Sequence, residues 1–485
     1  MSLIVERFIE ICAEYKDKPA FVFAKKGELV EKSFCELERD VCAAVGYLSD
    51  KGVRRGERIL TFALPSYELC TFMLASMSIG ASLMYVDSWA DQKRLRGAFE
   101  QYRPECILVS RATAKIRLLL REMHSIKRVL YVDKKIAEPT VSINAFAEDI
   151  PEETVALLTL TTGSTGRPKA AIRTHGQLHE QLMLVCNNME MKSREEYVLT
   201  TSFMYVFSNI LSGFTTVLPC LRLGRSSPAK LDRKLALFCS LPISMIITTP
   251  DFCLSVSNRF PTLRRLYLGG AILTPSEAER IYEKFRPAEI TYIYGATECN
   301  LIASTRLEDY VADLKRGRSV LGRAVEGVQI RIGENCEIMV SAMAMLDKYL
   351  DASAANKETD ENNLLWHKTG DAGELCDGKL VYFGRCDKRL PCADALYSSQ
   401  LEQRICVRFK DIEKCAVCVD KHDGNKIWVF AVCRDGGKFE HGELCAYVCE
   451  QLPEREIVIR KLSKMPCDVK HHTKINYNAL QKKMK

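Results

Sequence analysis

From Thr161 to Lys169 the chain reads TTGSTGRPK. Four hydroxyl residues (Thr161, Thr162, Ser164, Thr165), two glycines (Gly163, Gly166) and a lysine fall within one short stretch. Val155 to Leu160 before it and Ala170 to Ile172 after it are apolar and β-branched, so the pattern is strand, loop, strand. Glycine lets backbone amides approach a ligand closely, the hydroxyls add donors, and Lys169 can neutralise negative charge. That chemistry suits a polyphosphate. The spacing is not G-x-x-x-x-G-K-[ST], and it is not the dinucleotide form G-x-G-x-x-G. On composition alone, a Ser/Thr/Gly surface loop fits equally well.

Further stretches carry chemistry in the same sense. Arg265 to Leu268 reads as a buried strand running into Gly269-Gly270-Ala271. Ile290 to Tyr294 is a strand followed by Gly295-Ala296-Thr297-Glu298, and a plain strand-and-turn would not need Thr-Glu after glycine. Lys368-Thr369-Gly370-Asp371 ends on a carboxylate, which accepts two hydrogen bonds at once and so suits a vicinal diol. Leu380 to Asp387 reads LVYFGRCD. At the tail, Lys474 is followed by Ile475 and Leu480, whereas a tail lysine is by default solvated. Phe203, Tyr205 and Phe207 precede Asn209 and what reads as a long apolar helix; by composition they are core residues.

In their order along the chain these motifs resemble the adenylate-forming superfamily: acyl-CoA synthetases, adenylation domains of peptide synthetases and luciferases. T-x-G-S-T-G-x-P-K is among its most specific signatures, and Y-G-A-T-E is a second strongly specific one. The resemblance implies that Thr162, Gly163, Ser164, Thr165, Gly166 and Lys169 hold the β- and γ-phosphates of ATP. It implies that Gly269, Gly270 and Ala271 pack bare backbone on adenine, that Tyr294 and Gly295 flank the base, and that Thr297 bonds an α-phosphate oxygen. Glu298 would hold Mg²⁺, Asp371 the ribose hydroxyls with support from Arg385, and Lys474 would bridge the acid and the α-phosphate. Phe203, Tyr205 and Phe207 become candidates for the acyl pocket. The implied fold is α/β: a large N-terminal domain of helix-covered β-sheets (residues 1–386) and a small mobile C-terminal α/β domain (387–485), joined by a hinge at Asp387.

The implied reaction activates a small-molecule carboxylic acid as acyl-AMP with release of pyrophosphate, then passes the acyl group to a thiol, most commonly CoA, as in fatty acid metabolism. An acyl carrier protein's phosphopantetheine is a second acceptor. Ala324 replaces the proline of the family's L-G-R-P-x-x-G at Leu321 to Gly327, and no histidine stands beside the pocket aromatics. After the hinge, Lys388 to Tyr397 lacks the family's G-x-R. That stretch, with the run His471 to Ile475, looks like the β-lactone synthetases of olefin biosynthesis, which adenylate a β-hydroxy acid and close it internally. The reading from another class is a non-catalytic nucleotide or acyl binder; joint retention of Lys169, Thr297, Glu298, Asp371, Arg385 and Lys474 argues against it. Asp251 is the candidate for meeting an amino acid's ammonium.

The elements that must position these groups follow from periodicity. Ser2 to Tyr15 is amphipathic; Ala20 to Val30 is a hairpin turning at Lys25-Lys26-Gly27; Ser33 and Glu36 form a capping box for a helix reaching Lys51. Helix and strand then alternate through Tyr85, Cys106 to Ser110 and Val129 to Asp133, which argues for parallel sheets covered by helices. Leu69 to Val86 is uncharged but diluted by serines, and reads as a buried helix, a turn at Gly80 and a buried strand rather than a membrane span. Asp351 to Asn363 is polar and expected to be disordered. With 485 residues, 47% hydrophobic and 27% charged, the chain can bury large cores. A net charge of +7 spread along the chain suits an anionic substrate, not a nucleic-acid stripe. The 21 cysteines sit in apolar runs and point to a reducing cytoplasm. Cys415 and Cys418 form a lone C-x-x-C, for which zinc is the minor reading.

Overall fold

The structure is a computed structural model, and it describes residues 2–86, 92–115, 121–134, 136–139, 142–143, 150–161, 169–189, 191, 196–221, 226–346, 349, 357–392, 395–468 and 474–484. Its class is α/β: a large sheet-containing N-terminal part and a smaller C-terminal α/β part.

One sheet runs Arg128–Tyr131, Cys106–Val109, Arg58–Thr61, Ser82–Tyr85 and Val155–Thr161 in parallel, and closes with Lys169–Thr174 antiparallel. The expected strand, loop and strand are thus the last hairpin of this sheet, and Thr161 pairs with Lys169 at its base. A second, longer sheet has a parallel centre: Pro19–Lys25, Thr215–Leu218, Tyr197–Thr200, Ile243–Thr248, Arg265–Gly269 and Glu289–Tyr294. From Ala303–Arg306 onward it continues antiparallel, through Ser319–Ala324, Lys379–Arg385 and Leu365–Cys376 to Glu337–Ala342 and Val328–Ile332. Parallel sheet therefore describes only part of the fold. The antiparallel extension needs no crossover: Ser319–Ala324 leads through a few residues into Val328–Ile332, Leu365–Cys376 and Lys379–Arg385 form a hairpin, and helix Leu307–Lys315 joins the antiparallel pair Ala303–Arg306 and Ser319–Ala324.

The expected capping box is met: helix Phe34–Asp50 is capped by Ser33 with Glu36 returning the bond. Helix His175–Asn188 carries the same motif in Thr174 and Gln177. Leu69 to Val86 is buried helix, turn and strand, and no helix among the described residues is long and apolar enough to cross a membrane.

Two expectations fail. The helix at Asn209 is short, Met204–Leu211, and contains Phe207; Gly213 turns the chain at φ +72° and the β-branched run that follows is strand Thr215–Leu218. β-branched Thr215, Thr216 and Val217 favour the pleated, buried strand. Disorder after Asp351 also fails over its described part: Lys357–Thr359 pairs with Leu365 to His367, and Asp360 accepts the amides of Asn362 and Leu364 and the Trp366 indole. A polar stretch is ordered here because one carboxylate satisfies the turn's donors. Residues 351–356 lie outside the described residues.

The C-terminal part is a three-stranded sheet, Ile412–Val419, Lys426–Cys433 and Glu456–Lys461, flanked by helices Ser398–Arg408 and His441–Gln451. Cys415 and Cys418 project to opposite faces of one strand. Cys415 packs with Leu401 and Ile405, and Cys418 with Trp428 and Phe430, so they cannot share a metal ion. Glu402, buried in the first helix, accepts the Val417 amide at 2.8 Å and the Tyr477 hydroxyl at 2.8 and 3.0 Å. It thereby ties tail helix Tyr477–Gln481 to the sheet.

Burial pushes the Glu402 carboxyl from 4.5 up to about 7, against the opposing pull of the Val417 and Tyr477 bonds and Lys414. Between those values the folded chain keeps a proton that the unfolded chain releases, so stability falls as pH rises through the window. Glu402→Gln should remove that slope, which amounts to about 3 kcal/mol across the window. Urea midpoints from pH 4.5 to 7.5 check it: parallel curves for the two proteins would refute the assignment.

Candidate active site

The site is built where the two sheets meet. Strand Glu289–Tyr294 ends at a turn that only glycine allows at its first position: a Cβ on Gly295 would collide with the Asn300 carbonyl. Gly269 is equally constrained, by the Ile293 carbonyl of the neighbouring strand, and Gly270 has φ +99°. The Gly269-Gly270-Ala271 turn and the Tyr294 turn are therefore adjacent strand ends at one edge of the parallel centre. In open α/β sheets, ligands gather in the crevice outside such ends.

Asp371 and Arg385 face one another across an antiparallel pair. An Arg385 guanidinium nitrogen (Nη1) donates to Asp371 Oδ1 at 2.8 Å, and Tyr294 donates its hydroxyl to Oδ2 at 2.7 Å. The Gly370 amide is held by Glu337, and the Thr369 hydroxyl by the Ile338 carbonyl. Burial and the facing carboxylate keep the Tyr294 phenol well above its ordinary value, so it stays a donor. Burial disfavours charge on Arg385, yet Asp371 more than compensates and holds it above its usual value. Each Asp371 oxygen keeps a further lone pair for an incoming hydroxyl.

A second group of bonds fixes the Thr297-Glu298 turn, and sequence reasoning missed it. Arg173, on the strand leaving the hairpin loop, is 1% exposed. It donates to Gln181 at 2.8 Å, to the Thr159 hydroxyl at 2.8 Å and to the Thr297 carbonyl at 3.0 Å. Gln181 then donates to the Glu298 carbonyl, which also accepts the Leu346 amide. The Tyr349 hydroxyl donates to the Glu298 carboxylate. Burial lowers Arg173 to about 10, with Glu298 pulling upward, so the guanidinium is charged at neutral pH. The available signal was an arginine inside an apolar, β-branched run, which must find acceptors or not be buried.

The remaining site residues are placed as follows. Thr162, Gly163, Ser164, Thr165 and Gly166 lie outside the described residues, and Lys169 opens the exit strand. Phe203 stacks on Tyr85 at 5.3 Å and meets Phe207 edge-on at 6.1 Å. Phe207 is sealed in the core, while Tyr205 packs against the other sheet's cluster and burial pushes its phenol to about 12. Asp387 sits in the single turn Cys386–Lys388 and pairs with Lys388 at 3.2 Å. Lys474 is exposed on the tail loop; its carbonyl accepts the Asp468 amide, and the next residue, Ile475, bridges to Cys467.

Among the described residues no three His, Cys, Asp or Glu side chains converge to cage a metal. A cation at Glu298 would take one protein carboxylate and complete its shell from phosphate oxygens and water. That donor set suits Mg²⁺, which is usually held this way.

The sequence and the fold have counterparts. Residues 8–340 match the AMP-binding enzyme family, so the chain belongs to it and is an AMP-forming, adenylate-forming ligase. An olefin β-lactone synthetase from Xanthomonas campestris pv. campestris is 24% identical over 77% of this chain and 75% of its own length. A D-alanine–D-alanyl carrier protein ligase from Streptococcus pyogenes is 23% identical over 82% of this chain and 80% of its own. The O-succinylbenzoate coenzyme A synthetase of Bacillus subtilis, solved with AMP, shares the fold: TM-score 0.79, 19% identity and 98% of each chain covered.

Arg173→Leu should destabilise the protein by roughly 3 kcal/mol, because the Thr297 carbonyl and Gln181 lose a buried donor. Arg173→Lys should rescue little, since one ammonium cannot reach three separated acceptors. Denaturant titration of both variants checks this; wild-type stability in Arg173→Lys would mean that charge alone suffices.

Proposed function

We propose that the protein activates a hydrophobic carboxylic acid with ATP as acyl-AMP, releases pyrophosphate, and transfers the acyl group to a thiol, with CoA the first candidate. The observation that carries the reading is the Asp371 carboxylate held by Tyr294 and Arg385 beside the bare-backbone turn of Gly269 and Gly270. A fixed, negatively charged acceptor suits ribose hydroxyls, and a turn without side chains suits a flat base.

The chemistry follows from charge. A carboxylate is a poor acyl donor because its leaving group would be oxide; joined to AMP, the leaving group becomes a phosphate. Attack brings one anion onto another, so the barrier is mainly electrostatic and no general base is required. In this reading Thr162, Gly163, Ser164, Thr165, Gly166 and Lys169 cradle the departing phosphates and Thr297 bonds an α-phosphate oxygen. Mg²⁺ bound at Glu298 would supply positive charge to the non-bridging oxygens. Lys474 reaches the carboxylate and the α-phosphate together. Residues 1–386 and 387–485 act as two bodies, and rotation about Asp387 brings the thiol step. Phe203 and Tyr205 border the acyl group, and Phe207 backs Phe203 from the core.

A second reading is supported by the stretch Lys388 to Tyr397, which lacks the family's glycine and arginine, and by the likeness to a β-lactone synthetase: a β-hydroxy acid adenylated and then closed by its own hydroxyl. Loading of a carrier protein is the third. Two experiments test these. Lys474→Ala should abolish acid-dependent exchange of labelled pyrophosphate into ATP by at least about 1000-fold while ATP binding is kept; such a lysine supplies several kcal/mol of transition-state stabilisation. Unchanged exchange in that variant would remove Lys474 from the mechanism. Hydroxamate trapping over a panel of acids, with and without CoA and with mass detection of lactone, separates the acceptors.

A further inference from the structure

The small lobe meets the large one across helix Pro275–Phe285, and that contact contains a buried ion pair. Lys414, on strand Ile412–Val419, stands 2.9 Å from Glu277 Oε1, with side chains 14% and 9% exposed. Its neighbour in the same contact, Arg280 with Glu413 at 3.1 Å, lies open to solvent. Nearby, the Ser319 hydroxyl donates to Gln403 at 2.7 Å. Burial opposes charge on Lys414, but Glu277 more than offsets it and holds the ammonium above its ordinary value.

Glu277 has two duties. One oxygen closes the capping box of its helix by accepting the Thr274 amide, and the other takes Lys414. That helix begins just after the Gly269-Gly270-Ala271 turn. On the other side, the Cys467 thiol lies within the field of both Lys414 and Glu277. Cys467 is bridged to Ile475, the residue after Lys474. The glycine turn, the Glu277–Lys414 pair and the loop that bears Lys474 therefore lie near one another.

The geometry points to Glu277 and Lys414 as a positioning pair that holds the small lobe in the docking from which Lys474 serves the first half-reaction, and that must open before the lobe can turn to the second. This rests on the adenylation reading above. An ion pair suits a reversible dock. Closed, each charge is compensated; removing one partner leaves an unpaired buried charge. Opened, both charges are solvated, whereas an apolar seam of equal size would leave greasy surface in water.

The test uses the full-length chain with Glu277→Gln, Lys414→Met and the double variant. Glutamine keeps the capping box, which accepts Glu or Gln at that position, and methionine keeps the buried stem of Lys414. Each single variant should lower kcat for pyrophosphate exchange at least tenfold, with KM for ATP within twofold, and speed tryptic cleavage after Lys388 and Arg389. The double variant should recover part of the loss, since no lone charge remains. Unchanged kcat, or loss of kcat in step with a lowered Tm and no faster hinge cleavage, overturns the proposal. If no acid supports exchange of pyrophosphate into ATP by the wild-type protein, the adenylation reading fails. The cleavage comparison then still decides the pair: equal rates in wild type and variants overturn it, and faster cleavage in the variants upholds the dock.

Discussion

The site hangs on one buried guanidinium. Arg173 leaves the hairpin of one sheet and spends its donors on Thr159 of the same hairpin, on Gln181 of the following helix and on the Thr297 carbonyl beyond a strand of the other sheet. A charge removed from water must be fully bonded, or its desolvation exceeds what packing returns. The geometry that satisfies it is therefore narrow, and it sets the Thr297-Glu298 turn against the hairpin strands that carry Thr159 and Arg173. Glu298 inherits its orientation from this contact, with Tyr349 on its carboxylate.

Asp371 is held by the same logic from the opposite side. Its partners come from a parallel strand end, Tyr294, and from an antiparallel neighbour, Arg385. The change from parallel to antiparallel pairing after Glu289–Tyr294 makes this meeting possible, because a turn-connected strand can return its far end to the crevice. Glycine at 269 and 295 lets backbone lie where side chains would otherwise fill the space. Between the lobes, compensated charge recurs in Glu277 with Lys414; within the small lobe, the buried Glu402 carboxyl accepts the Tyr477 hydroxyl. An ion pair between lobes holds firmly when closed and comes apart without exposing apolar surface.

How much of this was legible beforehand depended on range. Local chemistry was readable: Ser33 with Glu36, the turn at Lys26-Gly27 and the strands around the hydroxyl-rich loop are short-range consequences of residue type, and they stand as expected. Where two local tendencies competed, the reading failed. Around Asn209 the apolar run continued past the helix, and only the glycine at 213 marked the change to strand. At Lys357–Thr359 a polar composition hid an ordered turn in which the Asn362 and Leu364 amides and the Trp366 indole all donate to Asp360.

By itself, then, the sequence determined the class of fold, the family and the residue types offered to a nucleotide, because motifs of fixed spacing depend on backbone geometry a few residues long. Only the tertiary structure decided which groups hold which. That Tyr294 donates to Asp371, that Arg173 clamps the Thr297 turn from 124 positions away, and that Lys414 finds Glu277 are long-range pairings. They are selected by the demand that every buried charge be met, and no local pattern encodes that demand.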